Sequence, residues 1–332
     1  MSQDARSGVS RRRFLLSTGA VGATAVAGCQ EQTGGNGGDG SSSTDQGLSG
    51  EVIVKGSSTV FPISDRMAQE FMGEEEYSQV NVTVDSTGSG GGFENWFCAG
   101  DAALNGASRP ITEGEQEQCS SNDVSPVEFQ IAGDALTVAV NNDADWVDSI
   151  TFEELSQIWR EDGAQMWSDV RDDWPDQEFE LFGPAETSGT YDWFNENVIG
   201  EDYRHTTSHQ PTEEDEQIVQ GIRDNPNGMG YFGYAYYNSN SEQVKALNVA
   251  AEAGDDPVAP SLANAQDGSY PMARPLFVYG AESDLQREDV SAFMEYYIEN
   301  AATDIVEEVG YVPSSEDQRD ENLTALDEAA GE

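Results

Sequence analysis

From residue 51 onward, short apolar runs alternate with longer stretches whose apolar residues return every three or four positions, the rhythm of strands separated by helices. EVIVK (51–55) reads as a strand and 61–72 as a helix; VNVTV (80–84) is the next strand, 92–99 a short helix and ALNGAS (103–108) a further short strand. The segment 112–120 opens with acids in its first turn and reads as a helix. VEFQIA (127–132) and ALTVAVNN (135–142) are two closely spaced strands. In SITFEELSQIWR (149–160), Thr151 is the expected N-cap, with Glu154 three residues on. FELFG (179–183) is a strand, SGTYDWFNENVI (188–199) a helix, and EEDEQIVQGIRDNP (213–226) a helix stopped at Asn225-Pro226. A tight glycine-aromatic passage, GMGYFGYAYY (228–237), precedes a strand at QVKALNV (243–249), a long apolar strand at ARPLFVYG (273–280) and a closing helix over 287–300. The order predicts an α/β protein, and no repeat of 20–50 residues or heptad run is present.

Three times a strand runs through a Gly/Ser/Thr loop straight into a helix: VIVKGSSTVFP (52–62), VTVDSTGSGGGF (82–93) and FELFGPAETSGTYDWF (179–194). The first N–H groups of a helix lack internal partners, glycine admits a ligand close to them, and Ser and Thr add O–H donors. Each loop alone fits ordinary N-capping. Three together point to one site for an anion. GSGGGF lacks the glycine spacing of a dinucleotide fingerprint, and GPAETSGT has no lysine for a phosphate-cradling Walker loop.

The first fifty residues stand outside this pattern. SRRRFLLSTGAVGATAVAGC (10–29) has paired arginines, an apolar run too short to span a bilayer comfortably, and small residues before a cysteine. It resembles a twin-arginine export signal ending in a lipobox, so 1–28 is expected to be removed and Cys29 to carry lipid; the alternative is a short uncleaved anchor. Residues 29–50, rich in Gly and Ser, read as a flexible tether. The globular body begins near residue 51.

Charge sharpens the picture. The chain has 63 Asp and Glu against 15 Lys and Arg, a net charge of −48, with lysine only at 55 and 245. Loss of 1–28 removes four arginines and one aspartate, leaving 62 acids, 11 bases and a net charge of −51. Such an excess strains a fold by self-repulsion unless salt screens it, and at molar salt the Debye length is about 3 Å. Six Trp, twelve Tyr and thirteen Phe argue for a folded body, so the composition fits a protein of an extreme halophile. No basic stripe exists to meet a nucleic acid. In an exported chain Cys98 and Cys119 are expected to pair as a disulfide, two cysteines alone being an incomplete metal site. The two histidines, His205 and His209, share one polar stretch and read as solvated loop residues rather than as a metal pair or a serine's base. No catalytic residue, metal or cofactor is expected.

GSSTVFPI, GSGGGF, NGASRPI, DALTVAVN, SGTYDWF, GYFGYAYY and RPLFVYG occur in the order seen in PstS-type phosphate-binding proteins, the substrate-binding lipoproteins of ABC phosphate importers, and the chain resembles that family over about residues 51–312. The resemblance implies a two-lobed periplasmic-binding-protein fold of type II, with two strands crossing between lobes and the ligand in the cleft. It puts the crossings at LTVAVNN and ARPLFVYG, lobe I at 51–136 and 275–332, and lobe II at 137–274. It implies phosphate contacts from Thr59, Val60 and Phe61, mainly through backbone and one hydroxyl, with Ser58 beside them, and from Ser89, Ser188, Gly189 and Thr190. Many members carry an acid where this chain has Arg109 and an arginine where it has Pro184; a branch with Ser-Arg shares the present arrangement.

Arg109 is therefore expected to hold phosphate by charge-assisted bonds, with Ser108 next to it. The acceptor that would separate protonated phosphate from sulfate is open among Glu186, Asp192 and Asp215. The expected protein is a monomeric, extracytoplasmic binder of inorganic phosphate, tethered to the outer face of the membrane by lipid on Cys29 and delivering its ligand to a membrane ABC permease. A receptor for another tetrahedral oxyanion (sulfate, molybdate or tungstate), a secreted phosphatase using Ser58 or Ser89, and a structural surface lipoprotein are the alternatives.

Overall fold

The first apolar run forms β1 (Ser49–Gly56), which pairs in parallel with β2 (Gln79–Val84) on one side and β3 (Leu104–Ala107) on the other. The computed structural model describes residues 47–331 except Glu201; the export segment, Cys29 and the tether up to residue 46 lie outside the described residues. β4 (Pro126–Ala135), β12 (Ala273–Ala281) and β13 (Val312–Pro313) complete a mixed sheet in the order β13-β4-β12-β3-β1-β2. A second mixed sheet holds β5 (Thr137–Asn141), β7 (Glu180–Pro184), β8 (Gln210–Thr212), β9 (Gly228–Phe232) and β10 (Val244–Ala246) in the order β10-β5-β9-β7-β8. A small parallel pair joins β6 (Ser149–Thr151) to β11 (Asn248–Ala250).

The chain passes from the first sheet to the second with Leu136 alone between β4 and β5. It returns in β12, which lies antiparallel to β4 with Arg274 opposite Asp134. All five residues of β5 are buried, as expected for the interior strand of a covered sheet, where apolar residues run without alternation.

Helices α1 (Phe61–Gly73), α2 (Ser89–Gly92), α3 (Glu113–Ser121), α9 (Leu262–Gln266), α10 (Glu282–Leu285), α11 (Glu288–Ala301), α12 (Asp304–Val309) and α13 (Glu316–Ala330) gather about the first sheet. α4 (Phe152–Trp159), α5 (Trp167–Val170), α6 (Gly189–Phe194), α7 (Asp215–Asp224) and α8 (Tyr234–Asn240) belong with the second. Phe71, Phe293 and Tyr297 fill one face of the first sheet, while Phe93, Phe97 and Tyr279 fill the other beside the bonded Cys98 and Cys119. Trp159, Trp167, Phe194 and Tyr231 form the core on one face of the second sheet, and Phe182, Ile218 and Ile222 the core on the other. Each such side chain contributes roughly 1.5–3 kcal/mol by leaving water.

Two capping boxes do more than start helices. Thr112 Oγ1 accepts the Glu115 N–H, and Glu115 accepts the Thr112 N–H at 2.8 Å. Thr151 and Glu154 repeat the arrangement, as their spacing predicted. Each glutamate then holds an arginine: Glu115 holds Arg109, and Glu154 takes Nε of Arg171 at 2.6 Å and its Nη2 at 2.8 Å. Burial works against the Glu154 charge, yet Arg171 and Thr151 outweigh it and hold its carboxyl below the usual range.

Several elements differ from expectation. The short helix of the second loop starts at Ser89, not Gly92, and widens into a π-type turn over Phe93–Phe97. QVKALNV is two strands in two sheets: the Leu247 N–H still bonds Val138 of β5, and from Asn248 onward the chain pairs with β6 instead. Beyond α11 come β13 and two helices that the apolar rhythm did not disclose; α13 carries only a thin stripe of Leu323, Leu326 and Ala329. The two histidines are not solvated: His205 is 6% exposed and His209 half-buried, both against the Trp159 ring.

The Cys98–Cys119 bond closes a 21-residue separation, a loop worth about 3 kcal/mol in chain entropy. Replacing both cysteines with serine is expected to lower the denaturant-unfolding free energy by about that amount; an unchanged midpoint would show that the bond adds no stability.

Candidate functional site

Each of the three Gly/Ser/Thr loops leaves the end of a strand and enters a helix from a buried position. After β1, Ser57 folds the chain back: its carbonyl accepts from Val60 and Phe61, and its Oγ accepts the Thr59 N–H at 3.1 Å. Ser58, Thr59 and Val60 are buried, and Phe61, the first residue of α1, is half-buried. After β2, Gly88 adopts φ 76°, open to glycine, and presents Ser89. After β7, Ser188 caps α6 by accepting the Thr190 N–H at 3.2 Å.

The loops come from two sheets and meet. Thr59 Oγ1 and Thr190 Oγ1 lie 3.0 Å apart. Thr187 O accepts the Gly90 N–H at 2.9 Å. Ser89 Oγ accepts the Ser108 N–H at 3.2 Å and lies 3.4 Å from the Ser108 hydroxyl. Gly189 seats directly on these two serines; a Cβ there would overlap both hydroxyl oxygens. From the second sheet's side, Asp215 Oδ1 accepts the Ser58 hydroxyl at 3.0 Å, and the Tyr236 hydroxyl donates to Ser58 O at 3.2 Å. Ser58, Thr59, Val60, Ser89, Ser108, Arg109, Ser188, Gly189 and Thr190 are thus buried in one region.

Arg109 reaches this region with most of its guanidinium already engaged. Nε donates to Asp192 at 2.6 Å, Nη1 to Pro110 O at 2.9 Å and Glu115 at 2.8 Å, and Nη2 to Glu115 at 2.8 Å. Burial alone would weaken its charge, but Glu115 and Asp192 hold the guanidinium more firmly protonated than usual. One N–H of Nη2 remains, beside Gly90. Asp192, one of the three carboxylates left open as an acceptor, is therefore the partner of Arg109 across the two sheets. Glu186 is exposed at a cleft of about 780 Å³ that also touches Arg109 and Asp192.

Two further carboxyls lie where the loops touch. Asp215 is buried, and burial pushes its pKa up to about 6 although the Gly233 N–H and the Ser58 hydroxyl stabilise the charge. Glu213 accepts from the Thr187 hydroxyl while its Oε2 has no partner among the described residues; burial carries its pKa to about 7, with Asp215, Glu214 and Asp192 adding to the rise. Gly88 of the opposite loop covers that oxygen, with a hypothetical Cβ only 2.7 Å from it.

The charges that sequence reasoning missed are Arg274 and Asp134. Both side chains are fully buried, and Asp134 Oδ2 takes Nε of Arg274 at 3.0 Å and its Nη2 at 2.9 Å. Nη2 also lies 3.2 Å from Thr59 Oγ1 and 3.0 Å from Thr190 Oγ1, whereas Nη1 has no partner among the described residues. The signal was present: a lone acid and a lone arginine, each set in a run of apolar or small residues, seldom stay buried unless paired.

The histidines do not reach the serines. His205 Nδ1 donates to Thr206 O at 2.8 Å, so Nε2 is left to accept from the Tyr231 hydroxyl at 2.9 Å. Burial lowers its pKa to about 4, keeping the ring neutral. Among the described residues, no group of three or more His, Cys, Asp or Glu is placed to hold a metal ion.

Residues 41–301 match the PBP superfamily domain. The chain is 37% identical over 282 residues to Protein SphX of a Synechocystis species, covering 83% of this chain and 82% of that one. It is 33% identical over 318 residues to the phosphate-binding protein PstS of Staphylococcus saprophyticus, covering 96% and 95%. Among solved structures, a possible phosphate binding protein from Planctomyces limnophilus shares 37% identity at a TM-score of 0.61, covering 85% of this chain and 99% of that one. An ABC-type phosphate transport receptor from Vibrio cholerae, 22% identical with a TM-score of 0.60 over 79% of this chain and 99% of its own, shares the two-lobed fold. The chain belongs to the PBP superfamily, among its PstS-like phosphate-binding proteins.

Proposed function

We propose that the protein binds inorganic phosphate between its two lobes, outside the cytoplasm, and delivers it to a membrane ABC permease. The observation that carries this reading is the meeting of three Ser/Thr loops from two sheets at one buried place. An oxyanion stripped of water needs many short-range donors, and hydroxyls and backbone N–H groups supply them without a mobile charge. Ser58, Thr59, Val60 and Phe61 of the first loop, Ser89 of the second, Ser108 with Arg109 after β3, and Ser188, Gly189 and Thr190 of the third form the proposed phosphate site. Arg109 contributes its remaining Nη2 N–H and, through Asp192, ties the lobes together once they close. Lobe I comprises 51–136 and 275–332, lobe II 137–274, and closure is a hinge motion about the two crossings.

The N-terminal motifs support export by the twin-arginine route, cleavage before Cys29 and lipidation of that residue, which would hold a monomeric binder beside its permease. The acid excess supports a high-salt setting, where screening spares the anion the repulsion of a net charge near −51.

Calorimetry of the lipid-free body in high salt is expected to show saturable phosphate binding at micromolar concentration or below; no heat with phosphate, or a stronger response to sulfate or molybdate, would overturn the reading. Gly189→Val should wedge the loops apart and weaken phosphate binding by about 10- to 100-fold in the same calorimetry; binding within about 2-fold of the parent would show that the site does not need the loops to meet. For Glu213, the folded-state pKa of about 7 exceeds the ordinary 4.5, so the folded chain binds more protons than the unfolded one between those values, and stability falls as pH rises through that window. Glu213→Gln is expected to melt progressively higher than the parent as pH rises from about 5 to about 8. Parallel curves for parent and variant would show that the carboxyl is not held protonated by burial.

A further inference from the structure

Arg274 stands at the start of β12, directly opposite Asp134 of β4. Asp134 fixes it on one side through Oδ2, while its Oδ1 accepts the Tyr234 N–H of the second lobe at 3.0 Å. On the other side, Nη2 meets the hydroxyl oxygens of Thr59, from the first loop, and Thr190, from the third. A guanidinium can only donate, and Nη2 has two N–H bonds for three oxygens: one goes to Asp134 and the other is shared by the two threonine oxygens, both of which accept from it. Each threonine still has one O–H to place. One of them can go to the other threonine, 3.0 Å away, which leaves the second O–H without an acceptor inside this group. The two N–H bonds of Nη1 lack an acceptor among the described residues as well. This buried group therefore holds more donors than acceptors, at the point where the two lobes meet.

We propose that Arg274 is a positioning residue for the bound anion: by donating to Thr59 and Thr190, it turns both hydroxyls into donors aimed at a single oxyanion, with Asp134 holding the guanidinium still. The inference rests on the phosphate reading above and adds a cation that acts through the threonines from the strand crossing. Arg109, by contrast, is largely neutralised by Glu115 and Asp192.

A double-mutant cycle on the lipid-free body, titrated with inorganic phosphate, tests this. Arg274→Lys keeps the charge but cannot serve two hydroxyls and a carboxylate from one planar fork. It is expected to weaken phosphate binding by about 30-fold, the size of a lost charged hydrogen bond. Thr190→Val should weaken binding by about 10-fold in the parent but by no more than about 2-fold in the Arg274→Lys background, because the hydroxyl's orientation has already been lost. Losses that simply add, or binding by Arg274→Lys within about 2-fold of the parent, would overturn the proposal and leave Arg274 a structural ion-pair partner. If Arg274→Lys does not fold, Arg274→Gln combined with Asp134→Asn, which removes both buried charges together, takes its place in the cycle with the same criteria. A parent protein that binds no phosphate would defeat the phosphate reading itself, whereas additive losses in a binding-competent parent defeat only the role of Arg274.

Discussion

The buried pair of Arg274 and Asp134 is the interaction on which the arrangement of the molecule turns. Removing two charges from water costs several kcal/mol per ion, and such a pair persists only where geometry and further hydrogen bonds offset that cost. Here the geometry comes from strand register, which sets the two residues opposite one another on β12 and β4 just where the chain leaves the first sheet. The additional bonds reach Thr59, Thr190 and the start of α8. One pair thereby ties the crossing to a loop from each sheet.

Around it, contact between the sheets is built largely from short, directional bonds, with apolar contact confined to small residues such as Ala235. The apolar clusters largely follow the sheets, with Ala235 of α8 reaching into the first core and Ala265 of α9 into the second, while hydroxyls, backbone N–H groups and the Arg109–Asp192 bridge form the polar part of the junction. An apolar seam would resist opening in proportion to its area, whereas polar contacts can be exchanged for water at small net cost. Such a boundary suits lobes that part and rejoin.

Much of this was legible in the chain because it is local. Strand-loop-helix punctuation located the three loops, and the Thr151–Glu154 spacing foretold a capping box that the structure contains. The same spacing recurs at Thr112 and Glu115, but nothing in it discloses that Glu115 also receives Arg109. Pairing between separate elements was illegible for a physical reason: Arg274 and Asp134 are 140 residues apart, and only sheet register brings them together. The histidines misled for a related reason. Their polar neighbours suggested solvent, while the Trp159 and Tyr231 rings that enclose them come from α4 and β9. The last helix escaped because α13 packs on the first sheet's core through few apolar residues set among many acids.

The ring closed by Cys98 and Cys119 encloses β3, Ser108, Arg109 and Glu115. One wall of the cleft is therefore a covalent loop, and the others are held by packing and hydrogen bonds alone. β3 is buried between β1 and β12, so the bond closes a ring around a strand that the sheet already holds in place. Its effect falls on the unfolded chain, whose reach it shortens, so that this wall enters folding with its two ends already joined.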